Sequence, residues 1–209
     1  PISLTFALGA LVFWAPEWLK SDKGMSAEGA NLVLGVCAVI GGVIGTMAGG
    51  LLADRLTRSI RGAYFWVCAG SSIAAAIPIF IALVSNRKPV YLAGIFLGIT
   101  LVFVSNGPVN ALLINLLPPN VRTTGLGLVV VIIHVLGDGI SLSLVGSIST
   151  RLSQGRDALP GALLSLGQVL NIDPRTQTLS VALLMMPVAL LVSGVLYALG
   201  RRTPEGRHV

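Results

Sequence analysis

The stretch LVLGVCAVIGGVIGTMAGGLLADRLTRSIR, residues 32–61, decides the fold of this chain. Residues 32–53 carry no charge, and a run of about 18 or more apolar residues is long enough to cross a bilayer as a helix. The run does not alternate apolar and polar residues, as a strand of a membrane barrel would. It ends in Asp54, which Arg55, Arg58 and Arg61 follow. We therefore predict a membrane helix that ends in a tightly charged turn.

The composition of the whole chain indicates the same environment. Of its 209 residues, 54% are hydrophobic and only 11% are charged, whereas soluble domains carry about 25% charged residues. The apolar residues fall into six segments, 2–19, 30–53, 62–84, 90–117, 123–149 and 179–200. We predict an all-α membrane protein with six transmembrane helices, of which the fourth and fifth are long enough to need tilt or a kink.

Basic residues in the connections divide evenly between the two sides of the membrane. Six spans put both chain ends on one side, and that side carries seven basic residues against seven on the other. The two sets are Arg55, Arg58, Arg61, Arg122, Arg201, Arg202 and Arg207, against Lys20, Lys23, Arg87, Lys88, Arg151, Arg156 and Arg175. The first set is more tightly clustered, which favours cytoplasmic ends under the positive-inside rule. We expect an integral protein of a bacterial inner membrane, and the scatter of bases among loops argues against nucleic-acid binding.

The charged turn resembles the loop motif of the major facilitator superfamily, roughly G-x-L-A-D-R-x-G-R-K. Here it reads GLLADRLTRS, residues 50–59, with Thr57 in place of the second Gly and Ser59 in place of the last base. In that superfamily the motif lies on the cytoplasmic side after helix two and again after helix eight. Because four segments follow the turn, the resemblance implies that the chain corresponds to helices seven to twelve. It also implies two inverted three-helix repeats and an N-terminal half that is absent from this sequence.

Other stretches are similar to the spinster-type transporters of that superfamily. Residues 14–16 read Trp-Ala-Pro, residues 134–138 read His-Val-Leu-Gly-Asp, and residues 146–152 read Gly-Ser-Ile-Ser-Thr-Arg-Leu. The resemblance implies secondary active transport by alternating access, with a lipid-like or amphipathic substrate of the lysophospholipid or sphingoid type. Two alternatives stay open. One is an exporter of another small organic molecule or drug within the superfamily, and the other is a membrane receptor or scaffold module that does not transport.

We expect Gly50, Asp54, Arg55 and Arg58 to form a gating loop. A carboxylate at the C-terminal end of its own helix meets the negative end of the helix dipole, so Asp54 needs a positive partner. We expect that partner to be Arg58 or the N-terminus of a helix in the missing half. The alternative is a stop signal that only fixes the topology.

Ionisable residues inside an apolar segment are costly, and each needs a physical reason. His134 and Asp138 are four residues apart and share a helix face, where a charge-assisted contact would lower the cost of both. A proton-sensitive latch and a packing pair at a helix interface both explain such a contact. We favour the interface pair.

Candidates for the wall of a substrate cavity lie in the first and fourth segments. Asn106 and Asn110 share a face where Gly107 and Pro108 are expected to break the helix, and broken helices with polar groups often line cavities. The full set of cavity candidates is Phe6, Phe13, Trp14, Glu17, Phe103, Asn106 and Asn110. An interfacial aromatic belt is the alternative for Trp14 and Trp18, and plain core packing is the alternative for each phenylalanine.

The sequence shows no pattern of an intramembrane enzyme, and we predict no catalytic residue, no metal site and no cofactor. Its two histidines, His134 and His208, do not form the H-E-x-x-H motif of a metalloprotease, and no P-loop motif occurs. The expected partners are the missing N-terminal half, membrane lipids and a small amphipathic substrate, with protons as a candidate coupling ion. A short amphipathic helix is also predicted within 150–178, where Leu159, Leu163, Leu166 and Leu170 recur at helical spacing.

Overall fold

The computed structural model describes residues 2–154, 165, 170, 172 and 176–201, and within them every regular element is a helix. The elements are α1 Ile2–Ser21, α2 Ala27–Thr57, α3 Ala63–Val84, α4 Lys88–Val104, α5 Asn106–Leu116, α6 Arg122–Ile133, a π-helical segment His134–Asp138, α7 Gly139–Ser153, α8 Thr178–Leu183 and α9 Met185–Gly200. The amphipathic helix predicted around 157–170 lies almost entirely outside the described residues.

Among the described residues six helical segments are long and apolar enough to cross a membrane, which confirms the predicted number of spans. In chain order, spans one to six are Ile2–Ser21, Ala27–Thr57, Ala63–Val84, Lys88–Asn115, Arg122–Ser153 and Thr178–Gly200. Three of them are interrupted: span four by a turn at Ser105, span five by the π-helical segment, and span six by a turn at Leu184. Spans four and five are irregular, as predicted, but length alone is not the cause, because the 31 residues of span two form one uninterrupted helix.

The packing of the spans repeats itself under an exchange of the two halves of the chain. Span one packs against spans five and six, span four packs against spans two and three, and span three packs against span six. Exchanging span one with four, two with five and three with six leaves these neighbours unchanged. This is the pattern that two inverted three-helix repeats produce, as the resemblance implied.

Glycines set the closest approach between spans two and four. Gly41, Gly45 and Gly49 follow one face of span two, and each lies directly against the backbone or side chains of span four. A Cβ atom added at Gly45 would lie 2.9 Å from the Cβ of Phe103, and one at Gly41 would lie 2.8 Å from the Thr100 hydroxyl oxygen. Small residues let helix backbones approach closely in lipid, where no hydrophobic effect drives helices together.

Spans two and five are the least covered helices of the chain. Only 22% of the span two window and 17% of the span five window are buried within the chain, against 39–56% for the other four spans. Large apolar side chains cover the open surfaces, among them Leu32, Val39, Met47, Leu128, Val131 and Val135. The two spans correspond under the exchange described above, so the same helix of each repeat has the largest open surface among the described spans.

Replacing Gly45 by alanine is expected to destabilise the protein by about 1–3 kcal/mol, because the added methyl group collides with the backbone of span four at Thr100 and with Phe103. Thermal unfolding of the detergent-solubilised protein measures the effect. Gly35→Ala is the matched control, because Gly35 lies in the same helix and a Cβ added there meets no atom within 4 Å. Equal stability of the two variants would contradict the close packing of spans two and four.

Candidate functional site

The charged turn begins where spans two and four cross. A Cβ added at Gly107 of span four would lie 3.3 Å from the Cα of Gly50, so Gly50 forms part of this crossing. The helix continues through Thr57, so Asp54 lies inside its last turn rather than beyond it. Asp54, Arg55 and Arg58 are exposed on this chain.

Asp54 has a different partner from the one predicted within this chain. The Tyr64 hydroxyl donates to Asp54 Oδ1 over 3.4 Å, and the Thr57 hydroxyl donates to the Asp54 carbonyl over 2.7 Å. Within residues 2–154 no ion pair joins Asp54 to Arg58. The expectation of an Asp54–Arg58 pair is wrong here, because the Asp54 carboxylate bonds to Tyr64 while Arg58 is exposed beyond the end of the helix. The other expected partner, a helix of a further N-terminal half, stays a prediction.

His134 and Asp138 are in direct contact, as their spacing predicts. His134 Nδ1 lies 2.6 Å from Asp138 Oδ2, and the Ser141 hydroxyl donates to the Asp138 carbonyl over 2.8 Å. The two residues bound the π-helical segment, and such segments often mark functional positions in membrane helices. The His134 side chain is 56% exposed, whereas that of Asp138 is only 23% exposed. The His134 imidazole is therefore the more exposed member of the pair.

Span one packs against the Asp138 side of this pair, and one glycine from each of spans one and five allows the close contact. Gly9 lies against the Asp138 side chain, and a Cβ added there would also lie 2.9 Å from the Cα of Asp138. A Cβ added at Gly137 would lie 2.8 Å from the Cβ of Thr5. A change in the charge or position of Asp138 would thus act directly on the crossing of spans one and five. The sequence predicts the pair but not that span one is its neighbour.

Span four breaks one turn earlier than the Gly107-Pro108 sequence predicts. The turn falls at Ser105, and Pro108 lies in the first turn of α5, where a missing amide hydrogen costs least. Asn106 and Asn110 are both exposed on one face, and the Asn110 amide donates to the Asn106 carbonyl over 3.0 Å. They are therefore available to a neighbour outside this chain.

A buried polar cluster stabilises this break and was not predicted from the sequence. The hydroxyls of Ser71 and Ser105 lie 2.7 Å apart, and the Ser71 hydroxyl also donates to the Cys68 carbonyl over 3.3 Å. The Cys68 thiol lies 3.9 Å from the Ser105 carbonyl oxygen. Both serines are buried, and the Ser71 hydroxyl is the side-chain partner of Ser105, whereas Ser71 also bonds to the Cys68 carbonyl. Single small polar residues in apolar helices were the available signal, but the sequence does not show which two meet.

The remaining cavity candidates lie in different environments. Phe13 and Glu17 are exposed on span one, and Lys20 pairs with Glu17 at 3.2 Å. Phe6 is half-buried and lines an apolar groove of about 1240 Å³ that spans one, three, five and six share. Phe103 packs against Gly42 and Gly45 between spans two and four, so its placement gives the cavity role no support and matches the core alternative.

The two tryptophans of span one lie in different environments, Trp18 buried and Trp14 half-buried. Trp18 is only 1% exposed, its Nε1 donates to the Ser180 hydroxyl over 2.7 Å, and its ring meets the edge of Tyr91 at 6.1 Å. Trp14 packs against Gly146 of span five, with a Cβ added at Gly146 lying 3.0 Å from the indole ring. The belt interpretation is wrong for Trp18, because the residue is an anchor between spans one, four and six.

The loop after span one contains two charged residues whose roles the sequence did not reveal. The Lys23 ammonium donates to the Ser85 carbonyl over 2.9 Å and to Asn86 Oδ1 over 3.0 Å, and Asp22 accepts from the Ser180 amide over 2.7 Å. Burial lowers the pKa of Lys23 from its usual value, and the neighbouring Asp22 carboxylate raises it by a smaller amount. The two residues tie the end of span one to the ends of spans three and six.

Among the described residues no group of three or more histidine, cysteine, aspartate or glutamate side chains could hold a metal ion. The described helices form a bundle with a charged turn at one crossing, a histidine–aspartate pair at another, and two helices whose outer surfaces are largely open.

Comparison with known proteins gives consistent results. The family description "Major Facilitator Superfamily" matches residues 2–142. "Probable sphingolipid transporter spinster homolog 2" of Arabidopsis thaliana is 32% identical over 155 residues, which cover 74% of this chain and 31% of that protein. "Protein spinster homolog 3" of Homo sapiens is 32% identical over 167 residues, which cover 74% of this chain and 33% of that protein. The chain thus spans about a third of the length of these curated relatives.

Solved structures show the same fold. A bacterial homologue of the human lysosomal transporter Spinster, in an inward-facing and occupied conformation, superposes with a TM-score of 0.78 at 16% identity. The alignment covers 99% of this chain and 48% of that one. An inward-facing, unoccupied structure gives a TM-score of 0.65 over 95% of this chain and 43% of that one. The better fit to the occupied structure concerns the arrangement of helices alone.

Ser71→Ala and Ser105→Ala each remove one partner of a buried hydroxyl pair, and we expect each to destabilise the protein by about 1–3 kcal/mol. The double variant should cost less than the sum of the two, because it leaves no hydroxyl without its partner. Thermal unfolding of the four proteins in detergent measures this cycle. Ser147→Ala is the control, because Ser147 is exposed and bonds only within its own helix turn. Additive effects of the two substitutions would show that the hydroxyls are not coupled.

Proposed function

The chain belongs to the major facilitator superfamily, and we propose from this premise that it forms the C-terminal six-helix half of a secondary transporter that works by alternating access. The observation that carries the proposal is the matched exposure of spans two and five. A transporter half needs one such surface from each repeat, because the opposite half must pack and move against both. The missing N-terminal half is the partner proposed for these surfaces.

The proposed substrate is a lipid-like or amphipathic molecule of the lysophospholipid or sphingoid type. Support comes from the relatives, one of which is named a probable sphingolipid transporter. The exposed face of span one adds support, because Phe13 lies one turn from Glu17 on the same face. An apolar wall beside a polar group suits a molecule with an apolar chain and a polar head.

Transport of this kind can be tested directly. The intact transporter, reconstituted in liposomes, should move a fluorescent lysophospholipid or sphingoid base across the bilayer faster than liposomes without protein. Transport of unrelated small drugs but of neither lipid would favour the exporter alternative. Binding of lipid without any transport under every gradient tested would favour a receptor or scaffold.

We propose that the protein lies in a bacterial inner membrane with both ends of this chain cytoplasmic. The accessibility of introduced cysteines from each side of the membrane can test this topology.

The energy for transport must come from a gradient in this proposal. The chain contains no P-loop pattern, so it carries no ATP site of that kind. Glu17, His134 and Asp138 are the titratable groups that the proposal must consider for proton coupling. His134 and Asp138 pack at the crossing of spans one and five. We therefore assign them to helix packing and assign coupling to the missing half.

Asp54→Asn is expected to slow conformational switching and to leave substrate binding largely unchanged, because the Asp54 carboxylate lies in the last turn of span two and bonds to Tyr64 rather than to a cavity candidate. Transport rate and equilibrium binding, measured on the same preparation, separate the two effects. Glu28→Gln is the matched control, because Glu28 is an exposed carboxylate at the other end of the same helix. An equal loss of binding and transport in Asp54→Asn would count against a gating role.

The double variant His134→Asn/Asp138→Asn should lose more stability than proton coupling. The substitutions weaken the charge-assisted contact that stabilises Asp138 against span one. Thermal unfolding and pH-dependent uptake in vesicles measure the two properties, and Ser147→Asn on the same span is the control. A well-folded double variant that has lost only its pH dependence would overturn the assignment and make the pair the proton site.

A further inference from the structure

Lys23 lies in the short connection between spans one and two, on the face of the bundle opposite the chain ends. Its side chain does not extend into solvent, as that of a loop lysine usually does. It turns back over the bundle, where its ammonium group reaches three oxygen atoms and two aromatic rings. These contacts come from spans one and four and from the end of span three.

Three oxygen atoms and two aromatic rings enclose the Lys23 ammonium group, and the oxygen atoms form one side of this enclosure. The Lys23 ammonium lies 2.9 Å from the Ser85 carbonyl oxygen, 3.0 Å from Asn86 Oδ1 and 3.5 Å from the Leu83 carbonyl oxygen. The last carbonyls of a helix have no partner within the helix, and they carry the negative end of its dipole. Span three ends at Val84, so two of the three oxygens belong to its final turn and to the residue after it. An ammonium group is the natural complement to such a helix end.

Two aromatic rings form the other side. The ammonium lies 5.4 Å from the ring centre of Trp18 and 5.8 Å from that of Tyr91, within the distance at which a cation is attracted to a ring face. Both rings are buried, and Trp18 is fixed by its bond to Ser180 and by its edge contact with Tyr91. The rings are thus held in place by the fold and do not depend on Lys23 for their positions.

We propose that Trp18, Tyr91 and the oxygens of Leu83, Ser85 and Asn86 form a binding site for a primary ammonium group, which the chain fills with its own Lys23. A primary ammonium matches the site because it brings three N–H donors for three oxygens and a positive charge for two rings. The site joins the end of span three to spans one and four.

The adjacent Asp22 extends the same connection to span six. Its carboxylate accepts the Ser180 amide over 2.7 Å, and Gln177 donates to Asn86 over 3.1 Å. The adjacent residues Asp22 and Lys23 therefore connect the end of span one to span six and to span three, respectively. Four of the six spans meet at this point, and the Ser149 and Thr178 hydroxyls, 3.0 Å apart, join span five to span six beside it.

Lys20 shows how a lysine without such a site behaves in the same segment. It is exposed and pairs only with Glu17, three residues away at 3.2 Å. Substitution of Lys20 removes a surface pair of little energetic weight. The two lysines therefore provide a matched comparison of a filled site and a solvated side chain.

Chemical rescue tests the site in the intact transporter in detergent. Lys23→Ala removes the atoms of a propylammonium ion and should lower the midpoint of thermal unfolding by several degrees, whereas Lys20→Ala should leave it within about a degree of the parent protein. Added propylammonium chloride should restore the midpoint of Lys23→Ala in a saturable way and should not change that of Lys20→Ala. Tetramethylammonium, which has the same charge but no N–H donor, should fail to restore it.

Each other outcome overturns the proposal. An unchanged midpoint of thermal unfolding in Lys23→Ala would show that the contacts of Lys23 do not stabilise the protein. A loss that propylammonium does not restore would show that the enclosure is no binding site. Equal rescue by tetramethylammonium would show that the oxygens play no part.

A second measurement keeps the proposal testable if Lys23→Ala does not fold. An amine-acetylating reagent applied to the unsubstituted protein should modify Lys23 much more slowly than Lys20 or Lys88, because the ammonium is engaged. Asn86→Ala removes one oxygen and should raise the rate at Lys23 alone. Equal rates at the three lysines, or no response to Asn86→Ala, would overturn the proposal. These readouts do not involve transport, so they fail or succeed independently of the proposed function.

Discussion

The close approach of helix backbones at glycines is the constraint on which the rest of the structure depends. In lipid no hydrophobic force favours helix association, so contact area and shape must supply it. Gly41, Gly45 and Gly49 bring span two against span four, while Gly9 and Gly137 bring span one against span five. These two crossings correspond under the exchange of the repeats. The same physical solution, built from different residues, therefore holds both repeats together.

Two pairs of polar groups in the interior lie where two spans meet and bond to each other. The hydroxyls of Ser71 and Ser105 join spans three and four, and the Trp18 indole joins span one to Ser180 of span six. Burying a polar group without a hydrogen-bond partner costs more free energy than one hydrogen bond contributes. Each pair therefore also specifies which helices are neighbours. The irregular backbone at Ser105 lies beside such a pair. The break in span four is thus supported from the side rather than left open to lipid.

The sequence predicts those features that depend on residues close together along the chain. Six apolar runs predict six spans, and the four-residue spacing of His134 and Asp138 predicts their contact. Features that join distant residues escaped prediction, because no local pattern identifies the partner. Ser71 meets Ser105 across 34 positions, and Trp18 meets Ser180 across 162. Trp18 is instructive, because its position near the end of an apolar run indicates an interfacial residue until span six is known to lie beside it.

The two faces of the bundle differ in how firmly their helices are joined, and this difference bears on how the chain would move as the proposed transporter half. On the face opposite the chain ends, Asp22, Lys23 and Trp18 connect spans one, three, four and six through charged and buried bonds. On the face with the chain ends, the Asp54 carboxylate accepts a long bond of 3.4 Å from Tyr64, and Arg55 and Arg58 are exposed. Spans four and five are interrupted near their middles, and span five is also the least covered. A force on the open surfaces of spans two and five would separate the helices most easily at the face with the chain ends, where the bonds just described are weaker. Motion of this half should therefore pivot on the firmly bonded face, with the interruptions as the points that bend.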